Sequence, residues 1–214
     1  MIAVDSPSAL LPSELIDSTH EDVLRFAVDR TRGMSGAEAA RALFVAVRDE
    51  VRYEGVADFS VRSSYRASDV LRAGRGFCVG KASLLAAAAR ALGIPALLGF
   101  ADVLNHLATP RLRSLIDGDV VAWHGYTALG LGGRWLKVSP AFDCSTCARL
   151  GTRVVDFDGQ SDALLQPFDL DGRRHMEYVH EHGLYVDVPF SLVSSELAAR
   201  HPRVLALARQ RSAL

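Results

Sequence analysis

The sequence predicts an α+β fold. Apolar residues recur at helical spacing up to Pro95, and beyond it the pattern changes to buried or alternating strand runs. The pair Gly132-Gly133 then stands between two apolar runs, a two-residue hairpin signal. Ser18-Thr19-His20-Glu21 has capping-box spacing, and Val23, Leu24, Phe26 and Ala27 follow before Gly33 stops the first helix. Ser35-Gly36-Ala37-Glu38 repeats the signal, with Ala39, Leu43, Val47 and Val51 on one stripe and Gly55 beyond it. Residues 56–66 read as irregular and 67–73 as a short helix closed by Gly74. Residues 79–92 are rich in alanine and leucine, a strong helix former buried almost all round; Gly93 and Pro95 end it.

The strand half follows. Residues 96–103 predict a buried strand, and 104–118 a polar, basic loop. The hairpin arms are 119–131 and 134–138. Residues 149–160 read as loop with a possible short strand, and 176–188 as one or two short strands. The segments 191–200 and 203–211 are closing helices, the second started by Pro202. No repeat or Gly/Ser linker divides the chain, so one domain over 1–214 is expected: a helical part 17–55, a core about 65–143 and an extension 144–214.

Composition narrows the function classes. Twenty-four basic and 25 acidic side chains leave a net charge of −1, with no footprint for nucleic acid or an anionic membrane. The first 15 residues make a poor signal peptide, and the most apolar stretch, 82–92, is too short to span a bilayer. Three cysteines exclude a full disulfide framework. A cytoplasmic, reducing setting is expected, in which a lone cysteine in the right surroundings is a candidate nucleophile.

Cys78 lies at or near the start of the alanine-rich helix. A helix N-terminus favours thiolate, its free amides can bind an oxyanion, Gly76 allows close approach and Arg75 adds positive charge. A small buried hydrophobe suits the same position equally well. His124 lies on the first arm of the hairpin. If the loop is Gly132-Gly133, Leu131 pairs with Arg134 and Tyr126 with Ser139. Ser139 is then the diagonal neighbour of His124, about 7–8 Å away. Asp143 has the same parity but lies beyond Pro140.

Together these residues resemble the transglutaminase-like superfamily. The motifs are Gly76-Phe77-Cys78, then Arg90-Ala91-Leu92-Gly93-Ile94-Pro95-Ala96, then His124, then Trp135-Leu136-Lys137-Val138-Ser139-Pro140, over about 65–143. The resemblance implies a papain-like core, with the cysteine-bearing helix packed on an antiparallel sheet. It also implies acyl-transfer chemistry on an amide, peptide or related acyl substrate, as a thiol peptidase, amidase or transamidase, with no cofactor. Carried over, Cys78 is the nucleophile and His124 the general base and acid. Members usually carry aspartate before the proline, where this chain has Ser139, and Ala128 stands where many have glutamate. Serine brings no charge to an imidazolium, so Asp143 is the favoured third member of the triad and Ser139 the alternative. An inactive binding module that keeps the cleft is the second reading.

Weaker candidates remain. Trp123, Tyr126 and His106 are placed as substrate-binding residues. Cys144-Ser145-Thr146-Cys147 is a CxxC that could join His175, or His180-Glu181-His182, around zinc, but the spacing is not that of a compact zinc finger. The expectation is therefore no metal, with the two cysteines as filler in a short helix or turn. The expected partner is a peptide or small acyl substrate, with no nucleic acid and no membrane.

Overall fold

The computed structural model describes residues 2–4 and 6–212. The first half is helical: α1 is Glu21–Thr31, α2 Gly36–Glu50, α3 Ala67–Ala73 and α4 Cys78–Ala91. Two short strands, β1 (Arg52–Tyr53) and β2 (Arg75–Gly76), pair in parallel and bring the end of α2 beside the approach to Cys78. The second half supplies β3 (Ala96–Asn105), α5 (Pro110–Ile116), β4 (Val120–Leu131), β5 (Arg134–Val138) and α6 (Cys144–Leu150). It closes with β6 (Met176–Tyr185), α7 (Phe190–Arg200) and α8 (Pro202–Ser212). The main sheet runs β5-β4-β3-β6 and is antiparallel throughout. The α+β class, and the cysteine-bearing helix on an antiparallel sheet, are as the sequence predicts. Among the described residues no helix is long and apolar enough to cross a membrane.

Helix α4 is the axis of the core. Residues 78–90 are all buried, packed against β4 and β3 on one side and α1, α2 and α3 on the other. Small side chains permit this: a Cβ on Gly80 would lie 2.5 Å from the Ser64 carbonyl oxygen. Two cations inside this core are bound to backbone carbonyls. The Lys81 ammonium donates to the carbonyls of Arg48 and Val51, at 2.8 and 2.5 Å, at the end of α2. The Arg90 guanidinium donates to Leu11 at 2.7 Å, Ala96 at 2.8 and 3.1 Å, and Val186 at 2.6 Å, joining three distant stretches of chain. On the far face of the sheet the Tyr126 ring lies flat over Gly99. A Cβ there would sit 2.1 Å from the ring.

The differences from expectation are local. The N-cap of α1 is His20, whose Nδ1 accepts the Asp22 amide at 3.2 Å, and not Ser18. The expected 104–118 loop contains α5, because Thr109 caps it through the Leu112 amide and Pro110 sits in its first turn. The short strand sought in 149–160 is absent, and 176–188 holds one strand.

Candidate active site

Cys78 is the first residue of α4, and no side chain caps that helix start. His124 lies on β4. The residues that follow them meet: the Cβ position of Gly125 would be 2.8 Å from both Cα and Cγ2 of Val79. Only glycine lets the strand approach the helix this closely. The amides of Gly125, Val79 and Cys78 itself gather on the sulfur. His124 Nε2 meets Ser139 Oγ at 3.3 Å. The Tyr178 ring packs edge-on against His124, with centroids 5.9 Å apart. The register is the one the hairpin arithmetic requires: Leu131 pairs with Arg134 and Thr127 with Val138, so Ser139 falls diagonal to His124.

Asp143 does not join them. It is the N-cap of α6, where Oδ1 accepts the Thr146 amide at 2.8 Å and the Ser145 hydroxyl at 2.6 Å. Its Oδ2 accepts the Tyr53 amide at 2.7 Å. Burial alone would raise its pKa, but these hydrogen bonds prevail and hold the carboxyl well below the usual range. The carboxylate expected to orient His124 is thus used to fix α6 and β1, and Ser139 is the residue on the imidazole.

The electrostatics also differ from expectation. A helix N-terminus depresses a thiol pKa, yet Cys78 is only 6% exposed. Burial pushes the thiol up to about 11, against the pull of the three amides. Burial likewise drops His124, 3% exposed, to about 4. Both groups are therefore neutral at pH 7. The His124 shift has a stability consequence. The unfolded chain takes up this proton near pH 6.5 and the folded chain near 4, so between those values acid favours unfolding. The loss amounts to about 3 kcal/mol by pH 4 and levels off about one pH unit below it. Urea midpoints at pH 7 and 4.5 are expected to fall more steeply in wild type than in His124→Gln.

Of the three residues expected to bind substrate, His106 lines a cavity. That cavity has a volume of about 530 Å³ and is bounded by His106, Leu165, Phe168, Arg174, Met176 and Tyr178, the last being the ring against His124. His106 Nε2 lies 2.7 Å from Glu177. Trp123 is stacked on His182, and Tyr126 donates to Glu181 at 2.6 Å; both belong to the sheet rather than to the cavity wall. Cys144 donates to Asp49 at 3.3 Å, and His182 is bound to Asp102 at 2.8 Å. Sequence reasoning missed Tyr178, which sits on a strand more than fifty residues from His124 with no motif around it.

No curated protein matches the chain. Among solved structures, a candidate cysteine protease from Cytophaga hutchinsonii is similar at 21% identity and a TM-score of 0.47, over 62% of this chain and 40% of that one. The chain thus spans less than half the length of that protein. The family model for the transglutaminase-like superfamily matches residues 25–140, from within α1 through β5 and including Cys78, His124 and Ser139. By that match, over more than half its length, the chain belongs to the transglutaminase-like superfamily.

Proposed function

We propose that the protein is an acyl-transfer enzyme with Cys78 as nucleophile, His124 as general base and acid, and Ser139 as the group that orients His124. The observation that supports this is that Cys78 starts an uncapped helix and its sulfur takes the amide of Gly125, the residue next to a buried His124 that is itself held by Ser139. A hydrogen on Nε2, donated to Ser139, leaves the lone pair on Nδ1 as the proton acceptor.

The sulfur attacks the carbonyl carbon of an amide, peptide or related acyl group while the thiol proton passes to Nδ1. The carbonyl electron pair moves onto oxygen, where the Cys78 and Val79 amides hold the charge. The intermediate collapses, the carbon–nitrogen bond breaks, and the amine leaves with the Nδ1 proton. Water or a second amine, deprotonated by the same nitrogen, then releases the acyl group from sulfur. The cavity lined by Tyr178 is of a size to hold a small organic group, and the Tyr178 ring stands between it and the imidazole.

The test is acylation by p-nitrophenyl acetate. The wild-type protein is expected to release a stoichiometric burst of nitrophenolate and to carry one acetyl group on Cys78 by peptide mass spectrometry. Failure to acetylate Cys78, or acetylation confined to exposed Cys144, overturns the proposal and leaves the binding-module reading. Ser139→Ala is expected to slow the reaction about tenfold or more through loss of imidazole orientation. Asp143→Asn is expected to keep the rate per folded molecule while lowering stability by about 1–2 kcal/mol, because its carbonyl oxygen can still cap Thr146 but its NH₂ cannot accept the Tyr53 amide.

A further inference from the structure

The backbone that carries His124 is not a regular strand. Across β3 and β4, Ala101 pairs with His124 but Val103 pairs with Val121, so Asp102 faces both Ala122 and Trp123 in a bulge. Trp123 has φ +52°, a left-handed conformation that a bulky side chain rarely adopts. The bulge releases two amides from the sheet ladder, and each is taken up by a buried side chain. Asp102 Oδ1 accepts the Trp123 amide at 3.0 Å, and His201 Nε2 accepts the Ala122 amide at 3.0 Å. His201 is fixed for this by its Nδ1, which donates to the Ile116 carbonyl at 3.0 Å.

Asp102 is itself held from the opposite strand. On β6, Ala101 pairs with Glu181 and Phe100 with Gly183, so His182 is the extra residue of a second bulge. His182 Nε2 donates to Asp102 Oδ1 at 2.8 Å, and its ring lies 4.0 Å above that of Trp123 at an interplanar angle of 5°. Arg200 reaches Asp102 Oδ2 at 3.4 Å. The extra residues of two flanking strands thus stack over one carboxylate.

We infer that Asp102 and His201 are positioning residues for His124: by accepting the amides of Trp123 and Ala122 they hold a strained bulge that aims the next residue, His124, between Cys78 and Ser139. This inference rests on the proposed roles of Cys78 and His124. It goes beyond them in assigning residues that touch neither group and in tying the α7–α8 junction to the site.

The experiment uses the full chain and two readouts. One is the tautomer of His124 by histidine ¹⁵N NMR, with the signal assigned by its loss in His124→Asn. The other is Cys78 acetylation by p-nitrophenyl acetate. Asp102→Ala is expected to replace the fixed Nε2–H signature by an averaged one and to slow acetylation about 10- to 100-fold. Asp102→Asn, which still accepts the Trp123 amide, is expected to keep most of both. In Asp102→Ala/Trp123→Gly the glycine takes the positive φ without help, so the wild-type signature is expected to return. If Asp102→Ala does not fold, the double variant decides. A wild-type signature and rate in folded Asp102→Ala, or failure of the double variant to recover the signature, overturns the inference. A wild-type acetylation rate in His124→Ala instead sinks the catalytic reading, and the NMR comparison still reads the positioning.

Discussion

Replacing His124 by alanine is expected to slow acetylation of Cys78 by p-nitrophenyl acetate about 10⁴-fold at pH 7, the upper end of the range for loss of a positioned general base. With the thiol pushed up to about 11 and the imidazole down to about 4, almost no thiolate waits in the resting site. In the proposed mechanism the sulfur becomes nucleophilic only as its proton moves to Nδ1. This gives the two proteins different pH profiles. The wild-type rate is expected to be nearly flat from pH 5 to 9, because both groups keep one protonation state across that span. The variant must lose its proton to solvent, so its rate should rise about tenfold per pH unit and approach the wild type near pH 11. Equal, parallel profiles would show that His124 takes no proton from Cys78.

Lys81→Met is expected to cost about 3 kcal/mol at pH 7, read as a lower urea midpoint at unchanged slope. The methionine fills most of the space but leaves the Arg48 and Val51 carbonyls without a donor at the buried end of α2, at about 1–3 kcal/mol each. Relief from burying an ammonium offsets part of this. Burial lowers Lys81 to about 8, against the pull of Asp143 and Asp49. The unfolded chain keeps the proton to about 10.5, so above pH 8 the unfolded state binds more protons and alkali favours folding. Wild-type stability should therefore gain about 1 kcal/mol from this residue between pH 8 and 9, and Lys81→Met should not. A variant with the wild-type midpoint at pH 7 would show that the two carbonyls find other donors.

What could be read in the sequence follows from the range of each interaction. The start of α4 at Cys78, its stop at Gly93 and the hairpin at Gly132-Gly133 are local signals, and the diagonal from His124 to Ser139 follows from the hairpin alone. The cap at Asp143 is a local signal too: an aspartate three residues before Thr146 is a helix cap, and a carboxylate spent on capping is not free for an imidazole. Thr109-Pro110 marks α5 in the same way. The rest depends on which strands pair. The bulge at Trp123 exists only because β4 meets β3 out of step there, and Tyr178 and His182 reach the site only because β6 adds to the far edge of β3. The high thiol pKa was hidden for a related reason: the helix terminus is visible in sequence, but the depth of its burial is set by the whole fold.

The Tyr126 ring over Gly99 bears on how such sequences diverge. The two residues sit opposite each other on neighbouring strands, and the ring occupies the volume that any side chain at 99 would need. Neither position is free to drift alone: a larger residue at 99 must arrive together with a smaller one at 126. Among homologues the pair should therefore vary jointly, with glycine at 99 wherever an aromatic stands at 126, a correlation set by packing and independent of whether catalysis is retained.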